Sequence, residues 1–381
     1  MSKAGSYGCS CDQMYYNFKK NKMKTKIFVI TMLFLSHISF AQTNEEIAID
    51  KTKEAIQLMD NGDIGDALLL LEEAQKLDPK NIHIPYEMAL ANYMKENYAT
   101  SIKILKNLKK HKDVNPLIFQ LLGNSYSMRG ERKSAIKAYE EGLKKYPNSG
   151  ILYLERGNME MFVENYNDAL QYYETGIKVD PAFSSNYYWT SRLYCNSTEE
   201  VWGMIYGEIF MNLERNSNRT VEISKLIFDT YKSEIQFPEE NTVSVSFSKN
   251  AVISLEQLSD PKNFKLPFGV GVYEPTLMLA IVQEKEININ SLDRIRTNFI
   301  KLYFEKKNQE KYPNVLLDYQ NKIFTAGHME AYNHWILMQG DLDGFEKWHE
   351  RNIDKWNAFV EWFTNNPIEL NKENKFYREQ Y

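Results

Sequence analysis

"GNSYSMRGERKSAIKAYEEGLKKYP", residues 123–147, spaces glycine, tyrosine, alanine and proline at intervals that come back elsewhere in the chain. A shift of thirty-four residues restores the same kinds of side chain. Ala67, Ser101, Ala135 and Ala169 share one place, and Ala55, Ala89, Gly123 and Gly157 a second. Leu71, Leu105, Tyr139 and Tyr173 share a third; Ala74, Gly142 and Gly176 share a fourth, where Leu108 intrudes. Pro79, Pro147 and Pro181 close three units, and Asp113 stands in for proline in the second. The register is unbroken from Ala48 to Phe183 and defines units 48–81, 82–115, 116–149 and 150–183.

Helix packing explains the spacing. Small residues such as Gly123 and Ala135 fall where two helices cross too closely for a larger side chain. Tyr126 and Tyr139 fill the gaps between units, and Gly130 falls in the turn inside its unit. Pro147 ends the second helix, because it lacks an N–H and crowds the preceding turn. One hairpin cannot bury its apolar face alone, whereas a stack of them can. A fifth, worn unit keeps Tyr187, Ser191, Tyr194, Gly203, Gly207 and Phe210 in phase, with Arg215 in the proline place. Ser197 and Glu200 have the spacing of a capping box for the helix that follows. Ile223, Leu226, Ile227, Thr230 and Ile235 form one helical stripe over 219–235, which caps the stack.

The pattern resembles the tetratricopeptide repeat, a helix–turn–helix unit of this length. The resemblance implies a mainly α fold: a right-handed solenoid over 42–236, with four clear repeats and one degenerate one. It also implies a groove lined by the first helix of each unit that holds a peptide or protein partner. Carried onto this chain, the groove places are Tyr86, Leu90, Tyr93 and Met94 in the second unit. In the third they are Gln120, Asn124, Ser127 and Met128, and in the fourth Glu155, Asn158, Met161 and Phe162. Methionine and tyrosine there adapt to a peptide, and asparagine can pair with its backbone. The alternative for each place is helix packing or an ordinary exposed polar residue. Some family members grip a C-terminal carboxylate with lysine and asparagine. Here Asn124 and Asn158 fit, but Gln120 and Glu155 occupy the lysine places, leaving Arg156 as the one candidate cation.

Beyond 236 the texture changes. Val243, Val245 and Phe247 alternate with serines over 241–248, the period of a half-buried strand, and residues 250–255 are its expected hairpin partner. Residues 265–275, rich in Gly and Pro, read as a loop. Helical stripes follow at Leu292–Leu302, Leu316–Phe324, Met329–Ile336 and Phe345–Phe363, and all six tryptophans lie beyond residue 188. Residues 237–381 therefore read as a mostly helical domain of unmatched type with a small β-hairpin.

The N-terminus carries Lys19, Lys20, Lys22, Lys24 and Lys26, then the apolar run 27–41 ending in Ser39-Phe40-Ala41. That is the layout of a secretory signal over 23–41, cleaved after Ala41, behind an upstream extension 1–22. Its fifteen apolar-region residues fall short of the roughly 20 that a membrane span needs. An uncleaved anchor is the alternative. The ending resembles exported proteins of Bacteroidota, so the expected address is the periplasm or envelope, within an envelope-associated complex. Net charge is −5 for 381 residues. Removing six Lys and one Asp with residues 1–41 leaves 40 basic and 50 acidic residues, so nucleic acid is not expected as a partner. Cys195 would be the sole cysteine of the mature chain, either a reactive thiol or a small buried residue.

Enzyme signatures are scarce. His328, Glu330 and His334 suggest a metal site that His349 could join through the fold. His328 and His334, however, diverge by roughly 240° on a helix. "GDLDG" at 340–344 resembles a calcium-loop fragment, but the twelfth place is Asn352 where glutamate is needed; an N-cap turn fits better. The two glycines of "FGVGVYEP" lack the rest of a dinucleotide fingerprint. No cofactor is expected. The favoured reading is a non-enzymatic scaffold for envelope protein assembly. The rival is an enzyme or metal-binding protein with its site in 237–381 and the repeats as a docking arm.

Overall fold

The computed structural model describes residues 42–239, 242–249 and 264–381; the segment read as an export signal lies outside them. Ten helices pair in order: α1 Asn44–Asn61 with α2 Ile64–Leu77, α3 His83–Met94 with α4 Tyr98–Leu108, α5 Pro116–Met128 with α6 Arg132–Lys145, α7 Gly150–Met161 with α8 Tyr166–Val179, and α9 Ser184–Tyr194 with α10 Glu200–Leu213. The second helices start at Ile64, Tyr98, Arg132, Tyr166 and Glu200, so the stride of thirty-four holds through the worn fifth unit. Helix α11, Asn218–Glu234, follows as the cap, with Ile223, Ile227 and Thr230 buried along its stripe.

Each of the first four pairs turns the same way. Gly62, Glu96, Gly130 and Glu164, one stride apart, all have positive φ, at 89°, 61°, 78° and 59°. The amide after each reaches back five residues: Asp63 to Leu58 O, Asn97 to Asn92 O, Glu131 to Tyr126 O and Asn165 to Glu160 O. This double-bonded helix ending needs a left-handed residue, which glycine supplies without penalty and glutamate does not. Nothing would touch a Cβ at Gly62 or Gly130, so only the backbone conformation is at stake there. Glu164→Gly is therefore expected to gain about 0.5–1 kcal/mol and Gly130→Ala to lose about 1 kcal/mol. Urea denaturation of the two variants should shift in opposite directions.

Packing inside the pairs follows the small-against-large rule. A Cβ on Gly123 would lie 2.1 Å from Tyr139 Cε1, and one on Gly157 2.3 Å from Tyr173 Cε1. Ala135, Ala138, Tyr139, Leu105 and Ile118 belong to one apolar cluster through units two to four. A second cluster joins units one and two through Ala55, Leu71 and Ile84. The largest runs from Ile177 to Phe376 and takes in the fifth pair, α11 and the helices beyond. Every residue from Val201 to Asn212 in α10 is buried. A helix buried all round is a core helix, and α10 is the axis about which the later helices gather.

Those later helices are α12 Glu274–Ile281, α13 Ile289–Glu305, the short α14 Asn308–Lys311, α15 Val315–Thr325, α16 Met329–Leu337, α17 Leu342–Arg351 and α18 Ile353–Asn365. The sheet is two strands of two residues: β1 Ile235–Gln236 runs antiparallel to β2 Ser244–Val245, with Ile235 opposite Val245. The strand around Val245 thus pairs back onto the end of α11. Its expected partner at 250–255 lies outside the described residues. The loop reading of 265–275 is corrected: Gly269–Tyr273 form a π-helical turn leading into α12. The two glycines serve close contact, since a Cβ on Gly269 would lie 2.3 Å from Ser248 Cβ and one on Gly271 2.4 Å from Leu266 Cβ. Pro275 sits in the first turn of α12, where its missing N–H costs nothing.

Two capping details also differ. Ser197 Oγ donates to Tyr194 O at 2.8 Å and accepts from the Glu199 amide at 3.0 Å, which occupies it on the preceding turn; Glu199, not Ser197, is the N-cap of α10. The stripe Phe345–Phe363 is two helices broken at Asn352. Asp341 caps the first of them, accepting from Gly344 N at 3.0 Å, and also accepts from Ile289 N at 3.1 Å. That double engagement accounts for the calcium-loop-like motif. After α18 the chain returns to the repeats: the Arg378 guanidinium meets Glu174 on α8 at 3.2 Å, and the ring of Phe376 packs on Tyr206 of α10.

Candidate functional site

The first helices of successive units pack against one another, so their outward residues form a continuous row. Gln120 and Asn124 on α5 face Glu155 and Asn158 on α7. The Gln120 amide donates to Glu155 Oε1 at 2.9 Å, Asn124 Nδ2 to the same oxygen at 3.5 Å, and Asn158 Nδ2 to Oε2 at 3.2 Å. The orientation of the asparagines is fixed from behind. Tyr139, on the second helix of unit three, donates its hydroxyl to Asn124 Oδ1 at 2.5 Å, and Tyr173, one stride later, to Asn158 Oδ1 at 2.8 Å. With both amide oxygens occupied, both NH2 groups turn towards Glu155.

Four of the twelve expected groove residues are therefore drawn into one network: Gln120, Asn124, Glu155 and Asn158. Tyr93 lies beside it, edge-on to Tyr98 at 5.4 Å between ring centroids; burial raises its pKa, with the charges of Tyr98 and Glu155 adding. Tyr86 and Leu90 are half-buried against the core of units two to four. Ser127 and Met161 are half-buried on the same row. Met94, Met128 and Phe162 project: they are 44%, 53% and 79% exposed and stand one stride apart at the ends of α3, α5 and α7. Sequence reasoning placed Tyr139 and Tyr173 in the packing and missed their role in setting the asparagines. The signal was present, since each tyrosine follows its asparagine by fifteen residues.

Burial pushes the Glu155 carboxyl above its ordinary range, and the bonds from Gln120, Asn158 and Asn124 offset part of that. Glu87, two strides earlier on α3, is pushed up to about 7 by burial, with the charge of Asp60 adding.

No family model matches the chain. Human tetratricopeptide repeat protein 21B is 31% identical over 144 residues, which is 36% of this chain and 10% of the human protein. The mouse counterpart is 29% identical over 143 residues, with the same coverage. The chain thus spans about a tenth of the length of these relatives. A TPR protein of Thermus thermophilus is a structural neighbour at 14% identity and a TM-score of 0.40, covering 47% of this chain and 98% of that one. Thirty-four-residue helix pairs, the recurring left-handed turn and the local identity to the curated relatives agree. The helix pairs over 44–213 form a solenoid of the tetratricopeptide-repeat kind.

The tetratricopeptide carboxylate clamp is not assembled here. Arg156, its one candidate cation, is buried on the other side of α7. Its Nη1 donates to Glu160 at 2.9 Å, its Nη2 to the Tyr172 hydroxyl at 2.8 Å, and its guanidinium stacks 4.4 Å from the Tyr172 ring centroid. Outside the tetratricopeptide units, the histidines of the rival site are dispersed. His334 bonds Glu330 O at 2.8 Å through Nδ1, reaches Asn290 through Nε2, and stacks on Trp348 at 4.0 Å. Glu330 accepts from Trp348 Nε1 and Lys355. His328 packs on Trp362, and His349 on Phe345 and Trp356. Among the described residues no three His, Cys, Asp or Glu side chains converge on a metal-sized site. Cys195 is a thiol held by packing: burial pushes its pKa up to about 12, and a Cβ on Gly203 would lie 2.5 Å from its Sγ.

Proposed function

We propose that this solenoid is an exported scaffold that holds a peptide or protein segment along the row of α3, α5 and α7, in envelope protein assembly. The observation that carries the reading is the ladder Met94, Met128 and Phe162. Three large apolar side chains stand in water at one repeat place, beside a polar floor whose amides are aimed by buried tyrosines. Exposed apolar side chains bordered by oriented polar groups are the composition of a binding face. Methionine suits a partner of variable shape. The role is that of a binding surface rather than a catalyst. No helix among the described residues is long and apolar enough to cross a membrane.

The test uses Met128→Ala with Phe162→Ala in the full chain. Both side chains project, so the melting temperature should hold. Capture of the partner from envelope extract, by cross-linking and mass spectrometry, should fall about tenfold or more, as for loss of interface anchors. Equal capture by wild type and variant would rule out this face. Asn124→Ala is a poorer probe, because it strands the buried Tyr139 hydroxyl and mixes stability with binding. Fractionation of the host cell tests the address: the chain should lie in the periplasmic or envelope fraction and begin at Gln42.

A further inference from the structure

We infer that the groove selects a basic ligand: a peptide segment that places a lysine or arginine side chain on Glu155, between apolar residues seated on Met128 and Phe162. The inference rests on the peptide-binding reading above and names its specificity.

Three observations carry it. The first is the chemistry around Glu155. Its three protein partners, Gln120, Asn124 and Asn158, are neutral amides. Among the described residues no lysine or arginine forms an ion pair with it. Neutral amides orient a carboxylate but do not cancel its charge, and a partly desolvated carboxylate is stabilised most by a cation that also donates hydrogen bonds. Oε1 already accepts two bonds and Oε2 one, which leaves an acceptor site on Oε2 for a donor from the ligand. The second is the conflict between cost and construction. Burial works against the charge on Glu155, yet Tyr139 and Tyr173 spend their hydroxyls on Asn124 and Asn158 so that the NH2 groups favour it. A groove meant for an acidic or C-terminal ligand would aim the amides outward and supply a cation. Here Arg156 is tied to Glu160 and Tyr172 on the opposite side. The third is repetition. Glu87 holds the same place two strides earlier, beside Asp60 and likewise without a paired cation among the described residues. The row of α3, α5 and α7 therefore offers carboxylates at two levels, and the basic residue one stride beyond Asn158, Arg192 on α9, is engaged by Glu222 at 3.0 Å and by the Tyr188 hydroxyl at 3.3 Å. With a formal charge of −5, the chain as a whole would also speed the arrival of a cationic partner.

The experiment is selection of a random-peptide phage library on the full chain, followed by measurement of the winning synthetic peptides against wild type, Glu155→Gln and the Met128→Ala/Phe162→Ala pair. The selected pool should be enriched in lysine and arginine flanked by apolar residues. Glu155→Gln should weaken the best peptide by about tenfold to a hundredfold, the worth of a hydrogen bond to a charged group. Changing the peptide's basic residue to norleucine should cost the same, and the two losses should not add. Since Gln at 155 presents an NH2 to three other NH2 groups, its melting temperature is read alongside; the norleucine peptide gives the same answer on unaltered protein. A pool without basic enrichment, or peptides indifferent to both changes, overturns the cation preference. If such peptides still lose binding to the Met128/Phe162 variant, the groove reading stands alone; if they do not, or if no peptide is selected, both fall.

Discussion

Arg296→Met is expected to cost about 3–5 kcal/mol, the penalty of leaving one member of a buried ion pair charged and alone. Arg296 on α13 and Glu208 on α10 are 4% and 3% exposed. The guanidinium grips the carboxylate with two bonds, Nη1 to Oε2 at 2.9 Å and Nη2 to Oε1 at 2.7 Å. Tyr332 donates to the same carboxylate at 2.8 Å, Gln320 does so too, and Asn333 accepts from Arg296 Nε at 2.7 Å. Asn333 in turn donates to Asp293 at 2.8 Å, and Asn212 donates to the Tyr332 hydroxyl at 2.8 Å. The knot joins α10, α13, α15 and α16 at one point, all of it inside the largest apolar cluster. Urea denaturation followed by tryptophan fluorescence should show the loss. Glu208→Leu combined with Arg296→Met should recover part of it, because an apolar pair no longer strands a charge. A single-variant loss below about 1 kcal/mol would mean that water reaches Glu208 once the arginine is gone, and that the knot does not hold the later helices to the repeats. The consequence for binding is direct. The knot anchors the α10 partner of α9, the last first-helix of the row, so the groove ends against a fixed body.

The repeats were legible because their physics is periodic. One crossing demands a small residue, the next stride demands another, and the constraint is written four times. The same stride places Asn124 and Asn158 at one repeat position, but that Gln120 and Glu155 would close a hydrogen-bond network with them was not written in it. What escaped has no period. Glu96 and Glu164 occupy left-handed turns that sequence reads only through glycine. Arg156 was visible as a cation, but nothing near it in sequence showed that Glu160 and Tyr172 would close around it. Glu208 and Arg296 are 88 residues apart, and such a pair leaves no trace in local pattern. The wear of the fifth unit did leave one. "EVWGMIYGEIFMNL" places large apolar residues on every side and interrupts them only at Glu200, Glu208 and Asn212, which marks a helix enclosed by neighbours on all sides rather than the end of an open stack. The same enclosure explains why Gly269 and Gly271 sit inside a helical turn: there the glycines admit Ser248 and Leu266 rather than break the chain.

The second large effect is expected at the crossing inside unit three. The four units do not fill it identically. Units one and two use Ala55 with Leu71 and Ala89 with Leu105; units three and four use Gly123 with Tyr139 and Gly157 with Tyr173. Alanine goes with leucine and glycine with tyrosine, as one space shared between two side chains requires. In Gly123→Ala the new Cβ would meet the ring of Tyr139 at 2.1 to 2.6 Å, so the ring must move and release Asn124. Overpacking of that kind costs about 1–3 kcal/mol, against which alanine's better helix propensity returns about 1 kcal/mol. Tyr139→Leu alone should lose about 2–4 kcal/mol through the cavity it leaves. The double variant rebuilds the pair that units one and two already carry, and should be more stable than the sum of the single losses by about 1–3 kcal/mol. Additive losses would show that the crossing yields by backbone shift and that the pairing along the chain is coincidence. A favourable coupling would show that each unit balances its own contact. The tyrosine version would then stand out for what it adds: Tyr139 and Tyr173 each bring a hydroxyl that leucine lacks, and both hydroxyls orient the asparagines beside Glu155. Gly123→Ala/Tyr139→Leu should accordingly fold, yet bind the selected basic peptide more weakly than wild type, separating the packing of the repeat from the chemistry built on it.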